Sequence, residues 1–288
     1  MFDNIFAAIE KWMRELLTGM VESNMSTMFT DVNEKTSEIA AQVGRTPQNW
    51  NSSVFSMIQN LSESVVVPIA GIIITLVLCY ELISMLTERN NLHDVDTWMF
   101  FKYFVKAWVA IYLVSNTFTI TMAVFDVGQS VVNSASGIIN GETAIDVSSL
   151  SMQMQAAMAT MEIGELVVLA LETFLVSFCM KIMSVVITVI VYGRMIEIYL
   201  YTSLAPIPFA TMSNREWGHV GTNYFRGLFA LAFQAFLMMV CVAIYAALIS
   251  SVRISSNMHS ALIGVAAYTV ILCFSSMKTG HHSAMIFG

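Results

Sequence analysis

Apolar residues return along positions 2–22 at helical steps: Phe2, Ile5, Phe6, Ile9, Trp12, Met13, Leu16, Leu17, Met20 and Val21. Asp3, Glu10, Lys11, Arg14 and Glu15 fall on the opposite side. The period predicts an amphipathic helix, too polar to span a bilayer and suited to the interface or to a partner helix. Its polar face has few basic residues, which favours packing within an assembly. Residues 23–46 are polar and weakly patterned. Thr46-Pro47 then reads as an N-cap with proline at the first helical position, and Trp50, Val54, Phe55, Ile58 and Leu61 continue a second amphipathic helix.

Beyond residue 64 the pattern changes to long apolar runs. A crossing takes roughly 20 mostly apolar residues. Residues 65–86 reach that length, with Pro68 and Gly71 near the start and Glu81 near the end. The polar linker "TERNNLHDVDTW" leads to a second run at 103–124, entered through Lys102 and Lys106. Its later half carries Ser115, Asn116, Thr117, Thr119 and Thr121, groups that in lipid are expected to bond to a neighbouring helix. Residues 126–162 read as a loop with Asp126, Glu142, Asp146 and Glu162, and Met152, Met154, Met158 and Met161 mark a short helix leading out of it. From 163 to 212 no clear polar loop appears. One membrane helix fits 163 to about 185, and the rest is interrupted by Gly193, Arg194, Glu197, Pro206 and Pro208. The loop "SNREWGHVGTNYFR", a clean span at 228–249, the short loop "SSVRISSNMHS" and a shorter span at 261–274 follow, with Lys278, His281 and His282 in a tail expected to be disordered.

The pattern therefore predicts an all-α, polytopic helical membrane protein. It has about five spans plus a re-entrant or broken helix, preceded by N-terminal amphipathic helices. Four regions are expected: an extracytoplasmic amphipathic region at 1–64, a first helical hairpin at 65–125, an extracytoplasmic acidic loop at 126–162, and C-terminal membrane helices at 163–288 with the broken segment 193–212.

Composition agrees. Of 288 residues, 57% are hydrophobic and 11% charged, against about 25% charged in ordinary soluble domains. The mean hydropathy is +0.70. A net charge of -7 offers no global basic field for nucleic acid. The basic residues are uneven, and 107–180 contain no Lys or Arg. By the positive-inside rule, the linker with Arg89, Lys102 and Lys106 goes inside and 126–162 goes outside. The N-terminal region is then outside. If 193–212 is re-entrant rather than a full span, Arg194, Arg215, Arg226 and Lys278 all lie inside and only Arg253 outside, the more positive-inside arrangement. The opening "MFDNIFAAIEKW" has no basic n-region and is not expected to be a secretory signal. Cys79, Cys179, Cys241 and Cys273 each lie in an apolar run and are expected to be buried, inert thiols, with no disulfide or zinc spacing.

The broken segment carries the candidate chemistry. Pro206 and Pro208 remove two amide donors and push Ala205 and Ile207 away from helical geometry. Non-helical backbone at membrane depth survives only where protein or water covers it. Arg194 and Glu197, three apart, are expected to pair on one helix face. Glu172 and Lys181, nine apart, fall on opposite faces and are not. Intramembrane ionisable groups point to a pathway, a relay or a subunit contact. The competing reading of Lys181, Arg194 and Glu197 is that they snorkel to one interface. Ala243 and Ala247, and Ser260 and Gly264, show the spacing for close helix packing, within one subunit or between subunits.

With "LAPIPFA" at 204–210, then Arg215, Trp217 and "YFRGLF" at 224–229, the chain resembles the TrbL family, the polytopic membrane subunit of type IV secretion (conjugation) systems. The resemblance covers most of the chain and rests on arrangement more than on a sharp motif. It implies a bacterial plasma (inner) membrane subunit with its N-terminus outside and C-terminus cytoplasmic, assembled as a homo-oligomeric ring in the bilayer. The implied partners are other type IV secretion membrane subunits, the system's ATPase, and single-stranded DNA with its relaxase in transit. In that family the central loop is associated with substrate passage. Here residues 126–162 lack the Lys and Arg that phosphate binding wants, so this loop is not expected to grip DNA. Glu172, Lys181, Arg194, Glu197, Pro206, Pro208, Arg215 and Arg226 are the candidate channel-mouth or subunit-contact residues. The alternative is an ion-coupled secondary transporter with a broken-helix site, which usually shows internal repeats not visible here. No metal-ligand spacing, nucleophile elbow or phosphate loop points to an enzyme or a cofactor.

Overall fold

The computed structural model describes residues 2–87, 97–139, 147–214, 216–251 and 258–287, and every regular element among them is helical. Helix α1 runs over Phe2–Val43, about 60 Å at 1.5 Å per residue. The polar stretch 23–43 thus continues the first helix. No Gly or Pro interrupts residues 20–43. Val21, Met25, Met28, Phe29, Val32, Ile39 and Val43 form a buried stripe at helical spacing.

Helix α2 (Pro47–Trp50) starts at Thr46, whose Oγ1 accepts from Asn49 N at 3.2 Å. Asn51 caps α3 (Ser52–Leu61) in the same way, accepting from Val54 N at 3.1 Å. A π-helical turn at Ser62–Val66 carries α3 into α4 (Val67–Thr87), so Ser52–Thr87 is one 36-residue helix.

Helices α5 (Thr97–Ser115) and α6 (Thr117–Ile139) meet at Asn116, across which backbone bonds continue from Asn116 N to Tyr112 O and from Ile120 N to Asn116 O. The polar groups of this stretch bond back onto their own helical run, and Thr121 also reaches a neighbour, the Tyr224 hydroxyl. Asn116 Nδ2 donates to Tyr112 O, Thr117 Oγ1 to Leu113 O and Thr121 Oγ1 to Thr117 O. Residues 126–139 belong to α6, where the sequence pattern predicts loop. The short methionine-rich helix is present as α7 (Val147–Met158). Glu142, Asp146, Arg89 and Arg253 lie outside the described residues.

Helix α8 runs unbroken over Ile163–Ser203, about twice the roughly 30 Å hydrocarbon core. Gly193 does not interrupt it. The break comes at Leu204-Ala205, before the short α9 (Pro206–Thr211). Helices α10 (Gly218–Ser250) and α11 (Met258–Phe287) complete the chain. The tail holding His281 and His282 is helical. Ser283 Oγ donates to Ala230 O, and the Phe287 ring stacks on Phe229 at 6.2 Å. Cys79 and Cys179 are exposed rather than buried, on helix faces turned away from the protein, and all four thiols are free.

Five helices are long and apolar enough to cross a membrane: Ser52–Thr87, Thr97–Ser115, Ile163–Ser203, Gly218–Ser250 and Met258–Phe287. The chain is an all-α polytopic membrane protein.

The chain divides into two compact units, and α6, α8, α10 and α11 each contribute residues to both. The first comprises Met1–Val43, Asn133–Val191 and Met238–Lys278. There α1 packs on α7, with Glu22 accepting from Gln155 Nε2 at 2.7 Å and Arg14 donating to Met161 O at 2.7 Å. The second comprises Gly44–Val132, Tyr192–Leu237 and Thr279–Gly288. Its core joins Ile74, Leu78, Val114, Phe209 and Leu228, beside a smaller cluster of Ile58, Phe118 and Tyr199.

Candidate functional site

The second unit is built around the break that the prolines impose. In an unbroken helix Thr202 O and Leu204 O would accept from residues 206 and 208, both prolines. Ala205 N turns instead to Thr202 O at 3.3 Å, and Ile207 N to Leu204 O at 3.2 Å. This tightening withdraws Ala205 N from Tyr201 O. The hydroxyl of Tyr224, on α10, fills that place by donating to Tyr201 O at 2.9 Å, with the two rings stacked at 4.7 Å. The freed backbone groups are thus satisfied inside the protein, as depth in a membrane demands.

Helix α9 packs on α4 and α5 and buries Pro206, Phe209 and Ala210, with Pro208 half-buried beside them. The cover that such a segment needs comes from this chain's own first hairpin. Two glycines of α10 let it approach. A Cβ on Gly221 would lie 2.7 Å from Pro208 O and 2.0 Å from Met212 Cγ, and one on Gly227 would lie 2.2 Å from the Tyr201 hydroxyl. The tight helix contacts fall here rather than at the small-residue pairs read from sequence. Ser260 and Ala247 are exposed, and a Cβ on Gly264 would meet nothing within 4 Å.

The ionisable candidates separate. Arg194 is turned inward on α8, only 6% exposed, on the same face as buried Met195 and Ile198. Its Nε makes no hydrogen bond among the described residues. Among the described residues Glu197 is exposed and forms no close ion pair with Arg194, although its charge still acts on the guanidinium. The three-residue offset leaves one side chain on the buried face and the other beyond its edge. Lys181 is exposed on α8, and Arg226 on α10. Arg215 lies outside the described residues.

Glu172, in the first unit, is half-buried and pairs with His259 Nδ1 of α11. His259 carries no signal in the linear sequence, because its partner is 87 residues away. A second intramembrane pair joins Lys106 Nζ of α5 to Glu81 of α4 at 2.5 Å. Neither Glu81 nor Lys106 is singled out by sequence pattern, since each sits near the end of its span.

Long apolar helices and a proline break sheltered by the chain's own hairpin define a multi-pass membrane protein. The TrbL/VirB6 plasmid conjugal transfer like family matches residues 32–206, from within α1 to the first residue of α9. The match covers more than half of the chain, which belongs to this family and is a membrane component of a conjugal transfer system. It takes in Glu172, Lys181, Arg194 and Glu197. No curated protein and no solved structure matches the chain.

Proposed function

We propose that this chain is an inner-membrane subunit of a type IV secretion channel. It assembles with copies of itself into a ring, beside the system's other membrane subunits and its ATPase, and helps pass single-stranded DNA with its relaxase. The observation that carries the reading is the family match across residues 32–206.

Charge and topology support an orientation. Five crossings put the two chain ends on opposite sides. The rule of basic inner loops then sets the N-terminus outside and the C-terminus in the cytoplasm. Lys102, Arg215, Arg226 and Lys278 fall on the inner side, where a polyanion enters, and α6 and α7 fall on the outer side. Arg194, turned inward, acts within the subunit, whereas exposed Lys181 and Glu197 are open to partners or cargo. Contact between subunits is supported by faces the chain leaves uncovered: Trp98, Phe104 and Trp108 on α5, Leu171 and Phe174 on α8, and the unused pair Ser260 and Gly264.

DNA passage is tested by crosslinking donor cells during mating, precipitating this subunit and probing for the transferred strand. The expected result is recovery of that strand, reduced by Arg226→Glu in a variant that still inserts. Recovery with other channel subunits but not with this one would remove it from the DNA path.

A further inference from the structure

An open cavity of about 430 Å³ lies in the second unit, between the last turns of α4, the first turns of α5 and the turn that joins α9 to α10. Its size is that of a ligand site rather than a packing gap. Its lining includes two ammonium groups, Lys102 and Lys106, and two carboxylates, Glu81 and Glu216. Lys106 and Glu81 neutralise each other at 2.5 Å. Among the described lining residues that leaves one charge of each sign. Lys102 Nζ sits 5.7 Å from the Trp98 ring centre and makes no ion pair among the described residues. Glu216 accepts from the Tyr80 hydroxyl at 3.0 Å.

Asn214, which also lines the cavity, is 4% exposed. Its Oδ1 accepts from Glu216 N at 2.7 Å and Trp217 N at 3.1 Å, while its Nδ2 has no acceptor among the described residues. That nitrogen is sealed from the cavity, so Asn214 shapes the wall by holding the turn at Glu216 and Trp217.

The position of the cavity says what kind of molecule arrives. It lies where two membrane helices end, at Thr87 and Thr97, the depth at which lipid headgroups sit. Tyr80 stacked on Trp217 and Trp98 stacked on Phe101 give it the aromatic rim of a membrane–water boundary. Exposed Ile83, Phe101 and Phe104 continue from it along the spans as a surface for acyl chains.

We propose that this cavity binds a phospholipid whose headgroup carries both a phosphodiester and a primary ammonium, as phosphatidylethanolamine does. The phosphodiester is held by Lys102 and the ammonium by Glu216. A purely anionic headgroup would leave Glu216 facing like charge, and a quaternary ammonium would have no N–H to donate.

The test is lipid retention by the purified full-length protein in native mass spectrometry, after exchange into micelles doped with phosphatidylethanolamine, phosphatidylglycerol or phosphatidylcholine. One phosphatidylethanolamine per chain is expected, kept about tenfold better than the other two, the preference that one charge-assisted hydrogen bond confers. Lys102→Met and Glu216→Gln each remove that preference, while Lys102→Arg keeps it. Both positions are exposed, and Lys11→Met, at an exposed residue of α1 that does not line the cavity, serves as the control that leaves it intact. Equal retention of all three lipids, or unchanged preference in both variants, overturns the proposal. Thermal protection by soluble glycerophosphoethanolamine equal to that by the whole lipid overturns the acyl-chain part and makes the occupant a free phosphodiester.

Discussion

Gly221→Val loosens the packing of the second unit, and the purified protein unfolds at a lower temperature than the wild type. The Cβ alone reaches 2.7 Å from the carbonyl oxygen of Pro208. Met212 Cγ, at 2.0 Å, belongs to a flexible side chain and can move aside, but the Pro208 carbonyl is backbone held by the proline ring. It also accepts from Thr211 Oγ1 at 2.8 Å. Overpacking of this kind costs about 1–3 kcal/mol, and a branched side chain lies at the upper end. The loss is larger than for Tyr224→Phe, which frees Tyr201 O but keeps the ring stack, at about 1 kcal/mol. Thermal unfolding in detergent, with Gly264→Val as the control, measures it. Gly264 has open space around its missing Cβ, so its substitution is tolerated in the isolated subunit.

Arg194→Met leaves the protein folded and inserted but stops transfer. A buried guanidinium whose Nε has no acceptor is expensive, and replacing such a charge by an apolar side chain of similar length is often neutral or stabilising. An ionisable group inside a membrane helix that does not stabilise the fold points to a functional role, and this is what the variant tests. Arg194→Glu should instead fail to accumulate, because it sets a second carboxylate three residues from Glu197 with no cation paired to either. Membrane fractionation gives the protein level of each variant and mating counts give transfer. Wild-type transfer by Arg194→Met would show that the charge is dispensable.

The helical class and five crossings are legible in the sequence because a run of apolar residues as long as a bilayer has few other uses. The helix start at Thr46-Pro47 and the break before Pro206 are legible too, since a cap and a missing amide are local chemistry. The second half of α1 is not. Asn24, Ser26, Thr27, Thr30 and Asn33 mask a stripe that is plain only when Val21, Met25, Met28 and Val32 are seen buried. The site is legible only in part. Proline placement pointed to the segment, but its cover by α4 and α5, the Tyr224 hydroxyl on Tyr201 O and the Glu172–His259 pair all join residues distant in the chain. Helical spacing brings the charges of Arg194 and Glu197 within reach of each other, but it does not say which of the two faces the core, and no close ion pair forms between them.

The most direct measurement is DNA transfer from donor cells in which this gene is deleted and then restored. The account predicts that transfer is lost on deletion, returns with the wild-type gene and does not return with Arg194→Met despite normal membrane levels. Undiminished transfer from the deletion strain, with loss of a solute uptake or an ion flux instead, would contradict it and leave an ion-coupled transporter as the reading.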